Sequence, residues 1–392
     1  MRPGIAYLAD GRIHLKLGDE PPRAVESPFA ESVRAREASL VQRNAWKTQG
    51  PGARFLAGGL MAGNEEATGG TAYAAITGLS RGRTPGEVLY SLETTAVTGL
   101  FALDTGAMAE ERRLFHGNQQ RVQFPSTQPG GDLIACSVRR DALRAHIGVM
   151  RADGSALTEV TEGDSVDLAP SWVPGAARRL VYQSAGVGRD RSGRPVGVGP
   201  SSIHELDLER GDVRTLAESP AHDLLGPRMG DDGALYYIRR PRTGRSRFAP
   251  LRLLLDLLLL PFRLIGAIFN WLNFFTVRYS GRPLVSSQGA QQRQVDARQW
   301  LVWGNLIGAA EDARRGGGGD DDAPGLVPQS WQLVRQPADG ALQVVARGVC
   351  SFDLAPDGVV YSTGNAVYYQ PRDGARLRLC SDSRIEQVVV LP

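Results

Sequence analysis

Two short phrases in this chain have the letters of catalytic motifs. Gly78-Leu79-Ser80-Arg81-Gly82 has the spacing of a nucleophile elbow, which would place Ser80 for acyl transfer. That chemistry needs a strand-to-helix turn above a parallel sheet, with an acid and a histidine downstream. Here Arg83-Thr84-Pro85-Gly86 follows, which reads as a loop, and the α/β alternation is missing. Leu103-Asp104-Thr105-Gly106-Ala107 has the letters of an aspartic-protease site, but that chemistry needs two carboxylates sharing a proton. No convincing second copy occurs, and Asp104 falls where a turn is expected. Asp320-Asp321-Asp322 follows Gly316–Gly319 without the ligand spacing of a calcium loop, so it reads as a solvated acidic tip. His14, His116, His146, His204 and His222 are scattered, Cys136, Cys350 and Cys380 have no metal or redox spacing, and there is no phosphate-binding Gly-x-x-x-x-Gly-Lys loop. These residues predict no catalytic, cofactor-binding or metal site, and neither an enzyme nor a small-molecule substrate is expected.

The elements around these phrases repeat. Ile147–Thr158 reads as a tight hairpin turning at Asp153-Gly154, because Asp-Gly supplies the positive-φ positions of short hairpin loops. Five more segments have this form: 13–25, 101–115, 203–216, 331–345 and 367–379. Strands opening on Pro/Gly turns precede several of them, as at Gly131–Cys136, Arg179–Tyr182, Gly233–Ile238 and Gly358–Tyr361. All-strand repeats of roughly 40–60 residues are the signature of propeller blades. The predicted fold is therefore all-β, a six-bladed β-propeller. Glu386–Leu391 is a lone strand with no hairpin after it, and the first hairpin lacks an inner strand. The tail is expected to complete the first blade and close the ring, which removes an open sheet edge.

The stretches DLAPSWVPGAARRLVYQS (167–184) and MRADGSALTEVTEGD (150–164) resemble the TolB-like repeats of six-bladed propellers, and 352–369 resembles them too. The middle and the C-terminal end carry the likeness; blades one, two and five are degenerate. The resemblance implies a fold, and members range from scaffolds to protease-appended domains.

The 392 residues, 42% of them hydrophobic, suit one ring-shaped domain over 1–392. Lysine occurs only at Lys16 and Lys47, and the formal net charge of +3 is too small to imply nucleic acid. No export signal is evident at Met1–Asp10, and sparse cysteines fit a reducing compartment, so a cytoplasmic location is expected. A polar piece at Ala30–Arg43 is expected to be helical, ahead of a second blade starting at Trp46. Arg189–Pro200 and 310–328 are expected to be loops, the latter flexible and Gly/Asp-rich.

One segment does not belong to a blade. Residues 241–298, within blade five, include RFAPLRLLLDLLLLPFRLIGAIFNWLNFFTVRYS. As a helix, Leu251–Val277 places Arg252, Asp256, Arg263 and Asn270 on one stripe and apolar residues elsewhere, with a break at Pro261. A single membrane crossing would put the two halves of the ring on opposite sides of the bilayer, and Arg263 would add about 2.5–3.5 kcal/mol at its centre. An in-plane helical insertion fits better. The residues expected to meet a membrane or partner are Arg242, Arg245, Arg247, Leu254, Leu255, Leu258, Phe262, Ile265, Phe269, Trp271, Leu272, Phe274, Phe275 and Arg278. Arg239, Arg240 and Arg252 extend the basic flank, and each arginine near an anionic leaflet adds roughly 1 kcal/mol. Docking in a protein partner, in a second copy, or back on the propeller are the alternatives.

The reading is a non-enzymatic scaffold that binds a protein partner and attaches peripherally to the cytoplasmic face of the inner membrane. The alternatives are a subunit of a multi-protein complex with its insertion buried in a partner, and an enzyme using the central channel.

Overall fold

The computed structural model describes residues 2–33, 35–36, 39, 74–94, 97–106, 110–141, 143–176, 178–242, 299–302, 305–308 and 325–391. The chain forms two compact units, Met1–Pro241 with Ala310–Pro392, and Arg242–Ala309.

The larger unit is built of antiparallel sheets, and the smaller one contributes the two-stranded sheet of Gln299–Val302 and Asn305–Gly308, labelled β19 and β20. In chain order the first strands are β1 (Ile5–Ala9), β2 (Arg12–Lys16) and β3 (Arg23–Val25). The next four are β4 (Ala74–Arg81), β5 (Glu87–Thr94), β6 (Thr98–Asp104) and β7 (Glu111–Gly117). They are followed by β8 (Arg121–Thr127), β9 (Leu133–Arg139), β10 (Ala145–Arg151) and β11 (Thr158–Glu159). A longer group comprises β12 (Ser165–Trp172), β13 (Arg179–Arg189), β14 (Pro195–Val198), β15 (Ser202–Asp207) and β16 (Asp212–Ala217). Then come β17 (His222–Met229), β18 (Leu235–Pro241), β19 (Gln299–Val302), β20 (Asn305–Gly308), β21 (Gln332–Gln336) and β22 (Gln343–Arg347). The last are β23 (Ser351–Ala355), β24 (Gly358–Ser362), β25 (Ala366–Pro371), β26 (Leu377–Ser381) and β27 (Ile385–Val390).

Four sheets have four strands each, ordered β27-β1-β2-β3, β4-β5-β6-β7, β17-β18-β21-β22 and β23-β24-β25-β26. The β8–β11 and β12-β13-β15-β16 runs are formally one sheet, joined by a single parallel pair, Ala145↔Val166. The first strands of these groups lie one against the next: β4 against β8, β8 against β12, β12 against β17, β17 against β23, β23 against β27, and β27 against β4. The C-terminal strand lies beside β1 with Ile5↔Val390 and Tyr7↔Val388 paired, as expected from the lone tail strand.

Side-chain alternation explains how the sheets stack. On β1, Ile5, Tyr7 and Ala9 pack with Val360, Val367 and Tyr369 of one neighbouring sheet. Ala6 and Leu8, pointing the other way, pack with Val88, Tyr90 and Phe101 of the other neighbour. A strand buried on both faces needs an unbroken apolar run, and IAYLA is one. The same division recurs on β9, where Ile134, Cys136 and Val138 face Leu89 and Leu100 while Ala135 faces Trp172 and Leu180. Each large side chain so buried contributes about 1.5–3 kcal/mol.

The expected hairpins form, including β10–β11 around Asp153-Gly154. Gly154 has φ 86, and a Cβ there would lie 2.0 Å from the Leu114 carbonyl oxygen, so the turn admits only glycine.

Three differences from the sequence reading stand out. Arg189–Pro200 is not simply a loop: β13 continues to Arg189 and pairs with β14, so a two-stranded ribbon projects there. The helix begins earlier than Ala30, with residues 28–33 helical and Ser27 Oγ accepting the Ala30 N–H at 3.0 Å as its cap. Within the acidic-loop segment 310–328, residues 310–324 lie outside the described residues, whereas its end is docked. Val327 is buried and the Leu326 N–H donates to the Thr363 carbonyl at 2.9 Å. The Trp46 start of the second repeat lies outside the described residues; the first described strand of that sheet is β4.

Candidate functional site

The resemblance phrase Asp167-Leu168-Ala169-Pro170-Ser171-Trp172 occupies β12, and its chemistry is structural. Asp167 is buried and accepts hydrogen bonds from Thr161 Oγ1 and Ser184 Oγ, both at 2.6 Å. The pairing of β12 with β13 slips between Leu168 and Ser171, so Ala169 and Pro170 form a bulge, with Ala169 at φ 52. Phe124-Pro125 on β8 and Gly226-Pro227 on β17 repeat this arrangement, at φ 49 and 59. Proline has no N–H to lose from a ladder, which is why it is tolerated at a bulge. Neighbouring sheets supply partners for the N–H groups that bulging releases. Ser137 Oγ accepts from Ala169 N at 3.1 Å and Gln183 Oε1 from Gly226 N at 2.7 Å; past the slip in β4, Gln387 Oε1 accepts from Leu79 N at 2.7 Å. Trp172 Nε1 completes the bracing by donating to the Ser126 carbonyl at 3.0 Å.

The two phrases with catalytic letters are parts of this framework. Gly78 adjoins the bulge of β4, Ser80 and Arg81 pair regularly with Leu89 and Val88 of β5, and Arg83–Gly86 turns directly into that antiparallel strand, so no strand-to-helix elbow exists there. Asp104 ends β6 and accepts the Gly106 N–H at 2.9 Å.

The titratable groups are dispersed. His14 stacks on Tyr7 with centroids 5.0 Å apart, while His146 Nδ1 lies 2.9 Å from Glu159. His204 sits between Ser202 and Thr215, and His222 contacts Ser219. Among the described residues no three of His, Cys, Asp or Glu are placed to hold a metal ion. Burial pushes the Cys136 and Cys350 thiols up to about 12 and the Cys380 thiol up to about 11, away from the thiolate form a nucleophile needs. Burial, with Asp10 adding and Arg384 opposing, raises Glu386 on β27 to about 7.

Of the fourteen residues expected at a membrane or partner, only Arg242 is described, half-buried just after β18. Arg245, Arg247, Leu254, Leu255, Leu258, Phe262, Ile265, Phe269, Trp271, Leu272, Phe274, Phe275 and Arg278 lie outside the described residues. The root of the segment is well defined. β18 and β21 are adjacent and paired, Arg239↔Gln332 included, so everything between them leaves and re-enters one sheet. Arg239 and Arg240 do not belong to a free basic flank. Arg239 Nη2 donates to Gln332 Oε1, and Arg240 Nη2 donates to Asp223 Oδ2 at 2.7 Å while its guanidinium lies over the Trp331 ring. Both are held by strand partners that sequence order alone does not bring near.

A charged cluster that the sequence reading missed joins three of the first strands. Arg81 Nη2 at the end of β4 donates to Asp353 Oδ2 on β23 at 3.1 Å and to the Leu354 carbonyl at 2.7 Å. Arg228 near the end of β17 brings its Nε to 3.7 Å from Asp353 Oδ1. Because β27 lies between β4 and β23, Arg81 reaches past a whole sheet to make its contact. No local signal marks this cluster, because its members are far apart in the chain.

No family model matches the chain, and no curated protein matches it. Solved structures do. A chain of the nidogen/laminin complex superposes with a TM-score of 0.51 at 8% identity, covering 100% of this chain and 99% of that one. TolB from Acinetobacter baumannii superposes with a TM-score of 0.51 at 11% identity, covering 100% of this chain and 67% of TolB. At such identities the likeness is one of architecture. Together with the stacked four-stranded antiparallel sheets, it establishes that the chain has a TolB-like β-propeller fold.

Proposed function

We propose that the four-stranded groups are the blades of a six-bladed propeller that works as a scaffold. It binds a protein partner through its loops and attaches peripherally to an anionic membrane leaflet, the cytoplasmic one, through residues 242–298. The observation that carries this reading is the pairing of β18 with β21. Roughly ninety residues are inserted between two adjacent strands without displacing either one from the ladder. A frame that retains its hydrogen bonds around such an excursion can present it to something else. The excursion's composition, Leu/Phe-rich with arginines at 245, 247, 252 and 278, combines apolar area with the positive charge that anionic headgroups attract. Arg239 and Arg240 leave the basic flank because the sheet engages them.

The likeness to propellers found in a binding complex and in TolB supports a binding role at the level of fold. The test is sedimentation with phosphatidylglycerol-containing vesicles, comparing the intact chain with one lacking residues 250–279. The intact chain is expected to pellet with vesicles at low salt and less at high salt, and the deletion variant to stay in the supernatant. If the intact chain remains in the supernatant, the insertion is a docking element for protein and the membrane reading fails.

A further inference from the structure

The cluster of Arg81, Asp353 and Arg228 holds two guanidiniums and one carboxylate, so among the described residues one positive charge of the cluster is uncompensated. Asp353 is already committed. Its Oδ2 accepts from the Val390 N–H at 2.8 Å and from Arg81, and its Oδ1 accepts from the Leu354 N–H at 3.0 Å. Arg228 Nε, at 3.7 Å, is beyond hydrogen-bond distance from it. The one hydrogen bond Arg228 makes among the described residues runs from Nη1 to the Pro227 carbonyl at 3.1 Å. Each guanidinium carries more donors than these contacts use.

Access is one-sided. The Asp353 side chain is 11% exposed, whereas those of Arg81 and Arg228 are 44% and 32% exposed. The carboxylate thus lies beneath two partly open guanidiniums. Burial lowers the Arg228 guanidinium below its ordinary value, Asp353 opposes that, and Arg81 adds to it. A cation so placed gains from an opposite charge more than one in bulk water does.

We propose that Arg81 and Arg228 form a carboxylate-binding site where the ends of the first strands converge, with Asp353 as the positioning residue beneath them. A monoanion matches the single surplus charge, whereas a phosphate dianion would overshoot it and meet the Asp353 charge. The planar fork of a guanidinium fits a carboxylate edge-on. The source is either a small carboxylate or the free C-terminus of a peptide. The site uses no residue of 242–309, so it stands or falls separately from the membrane reading.

The test uses the full chain. Its melting temperature is compared in sodium acetate and in sodium chloride at equal ionic strength, since a ligand of the folded state raises it by mass action. A short Ala-terminated peptide is titrated calorimetrically, as free acid and as C-terminal amide. Acetate is expected to raise the melting temperature above chloride, and Arg228→Gln and Arg81→Gln are each expected to abolish that gain. Arg81→Gln, at the more exposed position, serves if Arg228→Gln does not fold. If a terminus is the natural ligand, the free acid binds about tenfold tighter than the amide, equivalent to about 1.4 kcal/mol. Equal binding of the two forms, together with the acetate effect, assigns the site to a small carboxylate. Equal melting in acetate and chloride, or an acetate gain that survives Arg81→Gln, overturns the proposal.

Discussion

Glu386 lies half-buried on β27, and burial with the nearby Asp10 raises its carboxyl from an ordinary 4.5 to about 7. A raised carboxyl means the fold favours the protonated form. Its stabilising share is full below the unfolded value near 4.5, declines as pH rises, and is lost once pH passes about 7. Glu386→Gln keeps the uncharged shape, so its melting temperature is expected to match the parent in acid and exceed it above neutrality. Parallel melts of the two proteins across that range check this; a variant no more stable than the parent at alkaline pH would refute it. The pull of a single residue is also why the charged cluster escaped the sequence reading. Arg81 and Asp353 are separated by 272 positions, and nothing near either one signals that the fold will join them.

At the scale of elements, the closing strand is the most exposed to test. Removing residues 385–392 uncovers the edge of β1 and strips Ile385, Val388, Val389, Val390 and Leu391, all buried, from two core clusters. At about 1.5–3 kcal/mol per buried side chain, the loss rivals the whole stability of a typical domain, about 5–15 kcal/mol. The truncated chain is expected to lose its cooperative thermal transition, and a sharp melt near that of the intact chain would show that β27 is dispensable. Strands of this kind were legible because their alternation and their Asp-Gly turns are local signals. Letters alone do not fix their register. Asp-Leu-Ala-Pro occurs at both 167–170 and 353–356, and both stretches resemble the same repeat. In β12 that proline lies inside the strand at a bulge, whereas Pro356-Asp357 is itself the turn between β23 and β24. The Arg189–Pro200 ribbon was missed for a similar reason. Its Gly, Pro and Arg content reads as loop, yet backbone pairing of Val187 with Val198 extends the sheet without needing apolar alternation.

At the scale of the whole molecule, the propeller was legible because the same strand-turn-strand phrase recurs along the chain, and stacking is the one way such sheets bury both faces. What the insertion contacts was not legible, since amphipathic composition serves a lipid surface and a protein groove equally well. On the proposed function, the frame holds its own hydrogen bonds and carries a separable excursion. Hydrogen exchange at the paired amides of β18 and β21, measured in the intact chain and in the chain lacking residues 250–279, tests this directly. Protection at Ile238 and Leu333, which pair across the two strands, is expected to be the same in both proteins. If their protection collapses when 250–279 is removed, the excursion is part of the frame, and the division into scaffold and attachment element is wrong.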